Sequence, residues 1–499
     1  MKTRRVMLLL AIGGLLLAGF GGGLIGTAAG ALDTAWTRTY GGAANDGLRS
    51  VCGTTDGCFA AVGYTYSVGP NEVNIYVLKV DADGDTLWTR ALGGAGRDYG
   101  YAVCQGPGGG CYVAGYTTSS GLGREDVYVA SIDADGDVVW ERTYGGAGSD
   151  EGRTIFRTSD GHLVVAGRED SFGSGQSDMY VLKLDAQGDT VWTRVFGGVQ
   201  YDWGESACET ADGGYCISGT SSSNGVSRDI YLVKIDPAGS LVWQRFYGDF
   251  SSVVSHDWGG AVCAAADGGL AVGGNRIILV TDPDDIYFLR TDSLGTQTSL
   301  KRYSADFIEY GCSMCETPDA GYLICGAEKN ESTLKNDLLI VKRMPGTGWS
   351  WEQVMGGAGS DWGSCIIQTD PGQYLVAGHT ECSGAGGHDG WLVMLREPDA
   401  AVAPTGATGV RAVSSPNPFA TSATIRFGLF SASQVEVTIY DFAGRSVRVV
   451  GRGWREPGDQ AVEWDGRDES GSKVAPGIYL VRIAAGESSR TSKLVRLSD

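Results

Sequence analysis

The chain has 499 residues, 42% hydrophobic and 10% aromatic, a composition that can bury a large core and excludes a disordered polymer. Its formal net charge of −20 argues against nucleic acid and anionic lipid as partners, because phosphate binding draws on concentrated lysine and arginine. The 79 glycines return at fixed positions, where they mark turns rather than low complexity.

At the N-terminus Lys2, Arg4 and Arg5 precede an apolar run from Val6, and Ala29-Gly30-Ala31 fits a small-x-small cleavage site. A secretory signal over 1–31 is expected, with the mature chain starting near Leu32; the alternative is an uncleaved anchor. Cleavage would take the charge to −23. No cysteine precedes Cys52, so a lipid-anchored cysteine is not expected, and no later stretch is long and apolar enough to span a bilayer as a helix.

From here the chain repeats itself. Tryptophans at 36, 88, 140, 192, 243 and 351, with Ser299 in the sixth place, define seven copies spaced by 52, 52, 52, 51, 56 and 52 residues. Within a copy, short alternating runs lie between Gly/Asp/Ser turns. In the third copy they predict strands at Arg153–Arg157, Leu163–Gly167, Met179–Leu184 and Thr190–Val195. TSDG and DAQGD between them are hairpin turns.

Four antiparallel strands per period of about fifty residues predict a β-propeller. The ends of the array agree: Ala35–Tyr40 is a lone strand, and the seventh copy stops after GWLVMLRE (Gly390–Glu397) without its fourth. The N-terminal strand is therefore expected to complete the last blade and close a seven-bladed ring over 32–397, leaving no open edge.

YVLKVDADGDTLW (Tyr76–Trp88), a strand ending in D-x-x-G followed by a strand carrying tryptophan, resembles the tryptophan-docked propellers of quinoprotein-like and related bacterial repeat proteins. The resemblance implies the fold and not an activity.

Residues 398–412 lose the pattern and read as a linker. The remaining 413–499 read as a second strand-rich domain. IYDFAGR (Ile439–Arg445), WDGRDESG (Trp464–Gly471) and PGIYLVRI (Pro476–Ile483) resemble the C-terminal Ig-like module of flagellar hook-capping proteins and of type IX secretion cargo. The resemblance implies an Ig-like β-sandwich, a role in sorting or surface attachment, and the secretion machinery as partner. The tail KLVRLSD departs from the usual basic-apolar ending, and a passive spacer is the alternative.

No catalytic signature stands out. The four histidines fall at non-equivalent repeat positions, and His388 beside Asp389 reads as a solvated loop pair. The DADGD turns lack the alternating carboxylates and later acidic ligand of a calcium loop, so no metal or cofactor is expected.

The recurring element with chemical content is D-aromatic-G at the start of the first strand. Tyr99, Trp203, Trp258, Tyr310 and Trp362, with Asp202, Asp257 and Asp361, suit stacking on sugar faces and hydrogen bonding to hydroxyls. The alternative is that the rings wedge between blades while the aspartates accept loop N–H groups.

Symmetry breaks at the loops Tyr247–Gly259 and Gly273–Asp285, the expected place for selectivity. Among twelve cysteines, hairpin bridges are candidates at Cys52/Cys58, Cys104/Cys111, Cys208/Cys216 and Cys315/Cys325; the alternative is buried thiols.

The expectation is thus an exported, non-catalytic binding or structural protein, secreted or at the outer cell surface, with a glycan or surface-protein ligand. A polysaccharide-active or quinoprotein-type enzyme and a protein-binding adhesin are the alternatives.

Overall fold

The computed structural model describes residues 32–497 apart from 70–72, 174, 225–227, 249–254, 279–284, 304–308, 331–332, 345–347, 398–410, 416–418, 420, 430–432, 442–444, 456–457 and 486–487. The expected signal, most of the linker, parts of both enlarged loops and the Tyr310 side chain lie outside the described residues.

The chain is all-β. Six four-stranded antiparallel sheets follow one another in sequence, with leading strands Asp46–Gly53, Asp98–Gln105, Glu151–Arg157, Asp202–Glu209, Ser255–Ala264 and Glu309–Glu316. The seventh sheet is led by Asp361–Asp370, and its fourth strand is the N-terminal Asp33–Tyr40, which pairs antiparallel with Asp389–Arg396. The two incomplete ends of the array thus complete each other. Leu32, just before this strand, is tied to the sixth sheet: its N–H donates to Gln353 Oε1 at 2.8 Å and its carbonyl accepts from Gln353 Nε2 at 3.0 Å.

The middle strands are mostly apolar along their centres because both faces of each sheet are covered. Val62 and Val77 of the first sheet pack toward the second, while Ala61 and Leu78, one residue along, pack toward the seventh. Seven core clusters result, each shared by two neighbouring sheets, and one joins the seventh to the first through Leu375, Met394, Leu48 and Tyr76. Each leading strand also touches the next, and Asp361–Asp370 touches Asp46–Gly53.

The D-x-x-G…W spacing has a physical cause. Five of the repeat tryptophans lie over the last hairpin of the next sheet: Trp36, Trp88, Trp140, Trp192 and Trp243 donate Nε1–H to the carbonyls of Ala82, Ala134, Ala186, Pro237 and Ser293. The ring rests on the hairpin glycine. At Gly295, φ is +76° and an added Cβ would meet the Trp243 ring at 3.0 Å, so the position needs glycine for conformation and for space.

A buried lysine staples four corners, one of them through Lys342 and Asp319 at 2.9 Å. Lys79, Lys183 and Lys234 are nearly enclosed, and their ammonium groups reach Asp56, Asp160 and Asp212 at 2.5, 2.7 and 2.9 Å. Lys183 also donates to Tyr215 Oη of the next sheet at 3.0 Å. The aspartates are half exposed and the lysines are not, so the two deletions are unequal. Asp160→Ala strands a buried cation and is expected to cost about 2 kcal/mol, whereas Lys183→Met leaves a carboxylate that water can solvate and costs about 0.5 kcal/mol. Met394 already fills the equivalent place in the seventh sheet.

Desolvation pushes these carboxyls up, but hydrogen bonds from lysine and threonine outweigh it. They hold Asp56 and Asp212 at about 2 and Asp160 well below the usual range. A folded pKa below the unfolded one contributes stability above about pH 4 that is lost as pH falls toward about 2. The thermal midpoint is expected to drop across that window, and to drop less in Lys183→Met.

Residues 411–497 form a separate pair of sheets, one of three strands and one of four, closed on a core of Ile425, Val437, Ile439, Val481 and fully buried Trp464. The motif residues build this core. Trp464 packs between Phe419 and Tyr479 and donates Nε1–H to the Arg467 carbonyl at 2.8 Å, while Tyr479 Oη–H reaches Ala475 O at 2.6 Å.

Candidate functional site

Leading strands open on a buried carboxylate, and Asp46, Asp98, Asp202, Asp257 and Asp361 are at most 4% exposed. The loop two to four residues upstream is their partner: Gly42, Gly94, Gly198 and Gly357 donate N–H to Asp46, Asp98, Asp202 and Asp361 at 2.7–3.0 Å. A second donor arrives from the loop after the next strand, the hydroxyl of Ser67, Ser119 or Ser223 or the Cys382 thiol. Asp257 faces Arg276 Nε at 3.7 Å. The carboxylates of Asp202 and Asp361 thus clamp loops at their own sheets.

The aromatic positions separate into distinct clusters. Tyr99 stacks on Tyr116 at 5.4 Å and shares a 2.7 Å hydroxyl contact with Tyr66. Trp203 and Trp258 meet edge to face at 5.9 Å with the Arg228 guanidinium over both rings. Trp362 stacks on His379, whose imidazole meets His388. Of these equivalent positions only Trp203 and Trp258 touch among the described residues, and Tyr99 and Trp362 belong to other clusters.

Three residues beyond each carboxylate the strand ladder slips, between Leu48 and Ser50, Gly100 and Ala102, Gly152 and Thr154, Gly204 and Ser206, Gly259 and Val262, Gly311 and Ser313, and Gly363 and Cys365. Each slip is a β-bulge, which leaves an extra residue unpaired and re-aims its side chain. All seven leading strands line one cavity of about 330 Å³, and the bulge residues Arg49, Tyr101, Arg153, Glu205, Gly260 and Ser364 are in its wall.

The cavity is asymmetric in charge. Arg153 is held charged first by Glu205, 3.1 Å away, and then by Glu151 at 2.9 Å, and its guanidinium lies over the Tyr101 ring. Burial pushes the Tyr101 phenol up to about 12, so it stays a neutral donor. Arg49 lies over the Tyr64 ring and has no ion-pair partner among the described residues. Burial, then Arg49 and His388, push nearby His379 down to about 4, leaving it uncharged at neutral pH.

Two buried atoms on the same wall, Trp258 Nε1 and Ser364 Oγ, have no hydrogen-bond partner among the described residues. The wall therefore offers a guanidinium, an indole N–H, hydroxyls and aromatic faces together. Of the D-aromatic-G residues, Trp258 alone is among the described lining of this cavity. The bulge residues could have been found in sequence by their variation: in D-x-G-x the fourth place runs Arg, Tyr, Arg, Glu, Gly, Cys, Ser while its neighbours repeat.

The four candidate hairpin bridges are not formed among the described residues, whose cysteines are thiols, and strand register supplies the reason for three of them. Cys52 faces Ala60, and Cys58 lies in the turn just before that strand. Cys104 faces Tyr112, which puts Cys111 on the opposite face of its sheet, in a different core cluster. Cys315 faces Leu323, and Cys325 faces Ser313. Cys315 and Cys325 therefore share a face and a core cluster but sit diagonally, at about 7 Å, beyond the Cβ–Cβ reach of a disulfide. Cys208 and Cys216 are direct cross-strand partners, and there two thiols pack where a bridge was expected. Burial pushes the Cys111 and Cys216 thiols up to about 12 and makes them inert packing groups.

Among the described residues no helix is long and apolar enough to cross a membrane. A 143-residue stretch is 27% identical to the regulatory protein FlaEY of Caulobacter vibrioides, spanning 26% of this chain and only 14% of that relative. Among solved structures, the PorZ surface component of the type IX secretion system of Porphyromonas gingivalis aligns over 88% of this chain and 68% of its own, at 11% identity and a TM-score of 0.39. A Dyadobacter fermentans protein of unknown function aligns over 73% of this chain and 99% of its own, at 12% identity and a TM-score of 0.44. Residues 420–489 match the FlgD Ig-like domain family, and the C-terminal sandwich is accordingly an Ig-like domain of that type.

Proposed function

We propose that this is an exported, closed seven-bladed β-propeller that binds a glycan at its central channel without catalysing a reaction, and is sorted or held at the cell surface by its Ig-like domain. The observation that carries the reading is the convergence of seven leading strands on one cavity whose bulge residues are those in which the repeats differ. Structural positions repeat, while a selective site breaks the symmetry. Ring closure is supported by the core cluster shared between the seventh and first sheets. Trp258 Nε1 and Ser364 Oγ, without partners among the described residues, match with Tyr101 and Arg49 the hydroxyls and C–H faces of a sugar. The secretion machinery is the proposed partner of the Ig-like domain, on the resemblance of its IYDFAGR, WDGRDESG and PGIYLVRI motifs to type IX secretion cargo.

The test is binding of the full mature chain to a glycan panel, beside an Arg49→Ala, Tyr101→Ala double variant verified as folded. Saturable binding that weakens at least about tenfold in the double variant is expected. A parent that binds no glycan, or a variant that binds as the parent does, would overturn the channel as a sugar site.

A further inference from the structure

The repeat is broken at two adjacent places between the fifth and sixth sheets. Ser299 stands where the other copies dock a tryptophan, and a cavity of about 390 Å³ occupies the space, lined by Ser299, Phe288, Tyr322, Arg343 and Met344 among others. Arg343 stands where other copies bury Val80, Ile132, Leu184, Ile235 or Leu395, all at most 1% exposed. A large apolar group has been removed, and a cation has been put where an aliphatic side chain belongs.

Among the described residues the cation is buried without a counter-charge. Arg343 is 6% exposed, and no carboxylate lies within ion-pair distance of it among the described residues. Nη1–H donates to the Met344 carbonyl at 2.6 Å, Nε has no partner among the described residues, and the guanidinium lies 5.7 and 5.8 Å from the Phe288 and Trp349 ring centres. The nearby charges are engaged elsewhere or distant. Arg290 is held by Asp267 at 2.6 Å and by Tyr322 Oη at 2.9 Å. Glu316 is in the same cross-strand row but beyond Tyr322, two strand spacings or roughly 10 Å from Arg343. A buried charge is stable only when paired, and the open side of this one is the cavity.

We propose that this inter-sheet pocket binds a small carboxylate with an apolar body. The carboxylate takes the free edge of the Arg343 guanidinium, whose planar fork fits two oxygens. The body lies on Phe288, Tyr322 and Met344, in the volume the missing tryptophan leaves. The site is independent of the central channel.

The full chain is titrated calorimetrically with benzoate, phenylacetate and hexanoate, each beside its primary amide. At least one carboxylate is expected to saturate a single site about tenfold or more tighter than its amide. Arg343→Leu, which restores the aliphatic of the other copies, should abolish that preference and raise the thermal midpoint. Ser299→Trp, which fills the space and keeps Arg343, should abolish binding by a different route, while the Arg49→Ala, Tyr101→Ala variant should bind as the parent does. Equal binding of acid and amide, binding unchanged in Arg343→Leu or in Ser299→Trp, binding lost in the channel variant, or no saturation by any of the three acids in the millimolar range would each overturn the proposal. If Arg343→Leu does not fold, the amide comparison and Ser299→Trp still decide.

Discussion

Alanine in place of Gly115 is expected to cost about 3 kcal/mol or more, a large effect for one methyl group. An added Cβ would sit 1.8 Å from the Tyr99 carbonyl oxygen, 2.9 Å from its carbon and 3.0 Å from Gly100 Cα. All three are backbone atoms, so no rotamer change relieves the contact. The leading strand itself would have to move, and with it the bulge that aims Tyr101 into the central cavity. The same approach recurs at Gly63, Gly167, Gly219 and Gly378, where the leading-strand carbonyl lies 1.7–1.9 Å from the built Cβ. Gly53→Ala is the control: nothing lies within 4 Å, and the change is expected to be neutral or stabilising by up to about 1 kcal/mol. Urea midpoints followed by far-ultraviolet circular dichroism compare the two. A Gly115→Ala midpoint equal to that of the parent would mean that the bulge relaxes freely and does not fix Tyr101.

That glycine also shows what a repeated sequence can reveal. The four strands expected in the third copy are present as Glu151–Arg157, Leu163–Glu169, Asp178–Leu184 and Thr190–Phe196, each extended by at most two residues at an end. Alternation and turn residues are local signals, and they locate strands. The unmatched ends of the array located the Asp33–Tyr40 pairing for the same reason, since a missing strand and a surplus one are both visible in the chain. The site was less legible. Recurrence identifies equivalent positions but not neighbours, so Tyr99, Trp203 and Trp362, alike in the repeat, belong to different clusters. A bulge shifts register by one residue and leaves no mark in hydropathy, so alternation alone does not single out Arg49 or Glu205. Register decided the thiols: Cys104 and Cys111 look like a hairpin pair until it puts them on opposite faces, and Cys325 misses Cys315 by two places on the same face. Ser299 was conspicuous as a lost tryptophan, but Arg343 gains meaning only when the sixth sheet is set against the fifth.

Trp243→Ala is expected to cost about 3–5 kcal/mol, in the range for emptying a buried aromatic site. The side chain is buried, covers Gly295 of the next sheet and joins the cluster of Leu232, Tyr247, Leu270 and Leu289. The fold contains its own comparison, because the site with Ser299 retains a cavity of about 390 Å³ rather than collapsing. The same rigidity should keep a Trp243→Ala void open, so that the transfer loss and the cavity term both count. The loss should also fall on the corner between the fourth and fifth sheets, since neighbouring contacts carry most of the stability of a repeat array. Trp454, 65% exposed on the C-terminal domain, supplies the control, and its alanine variant should stay within about 0.5 kcal/mol of the parent. Urea unfolding measures the size of the effect and amide exchange its location. A loss below about 1 kcal/mol would mean that the hairpin repacks over the gap, and the tryptophan would then mark the repeat without holding it together.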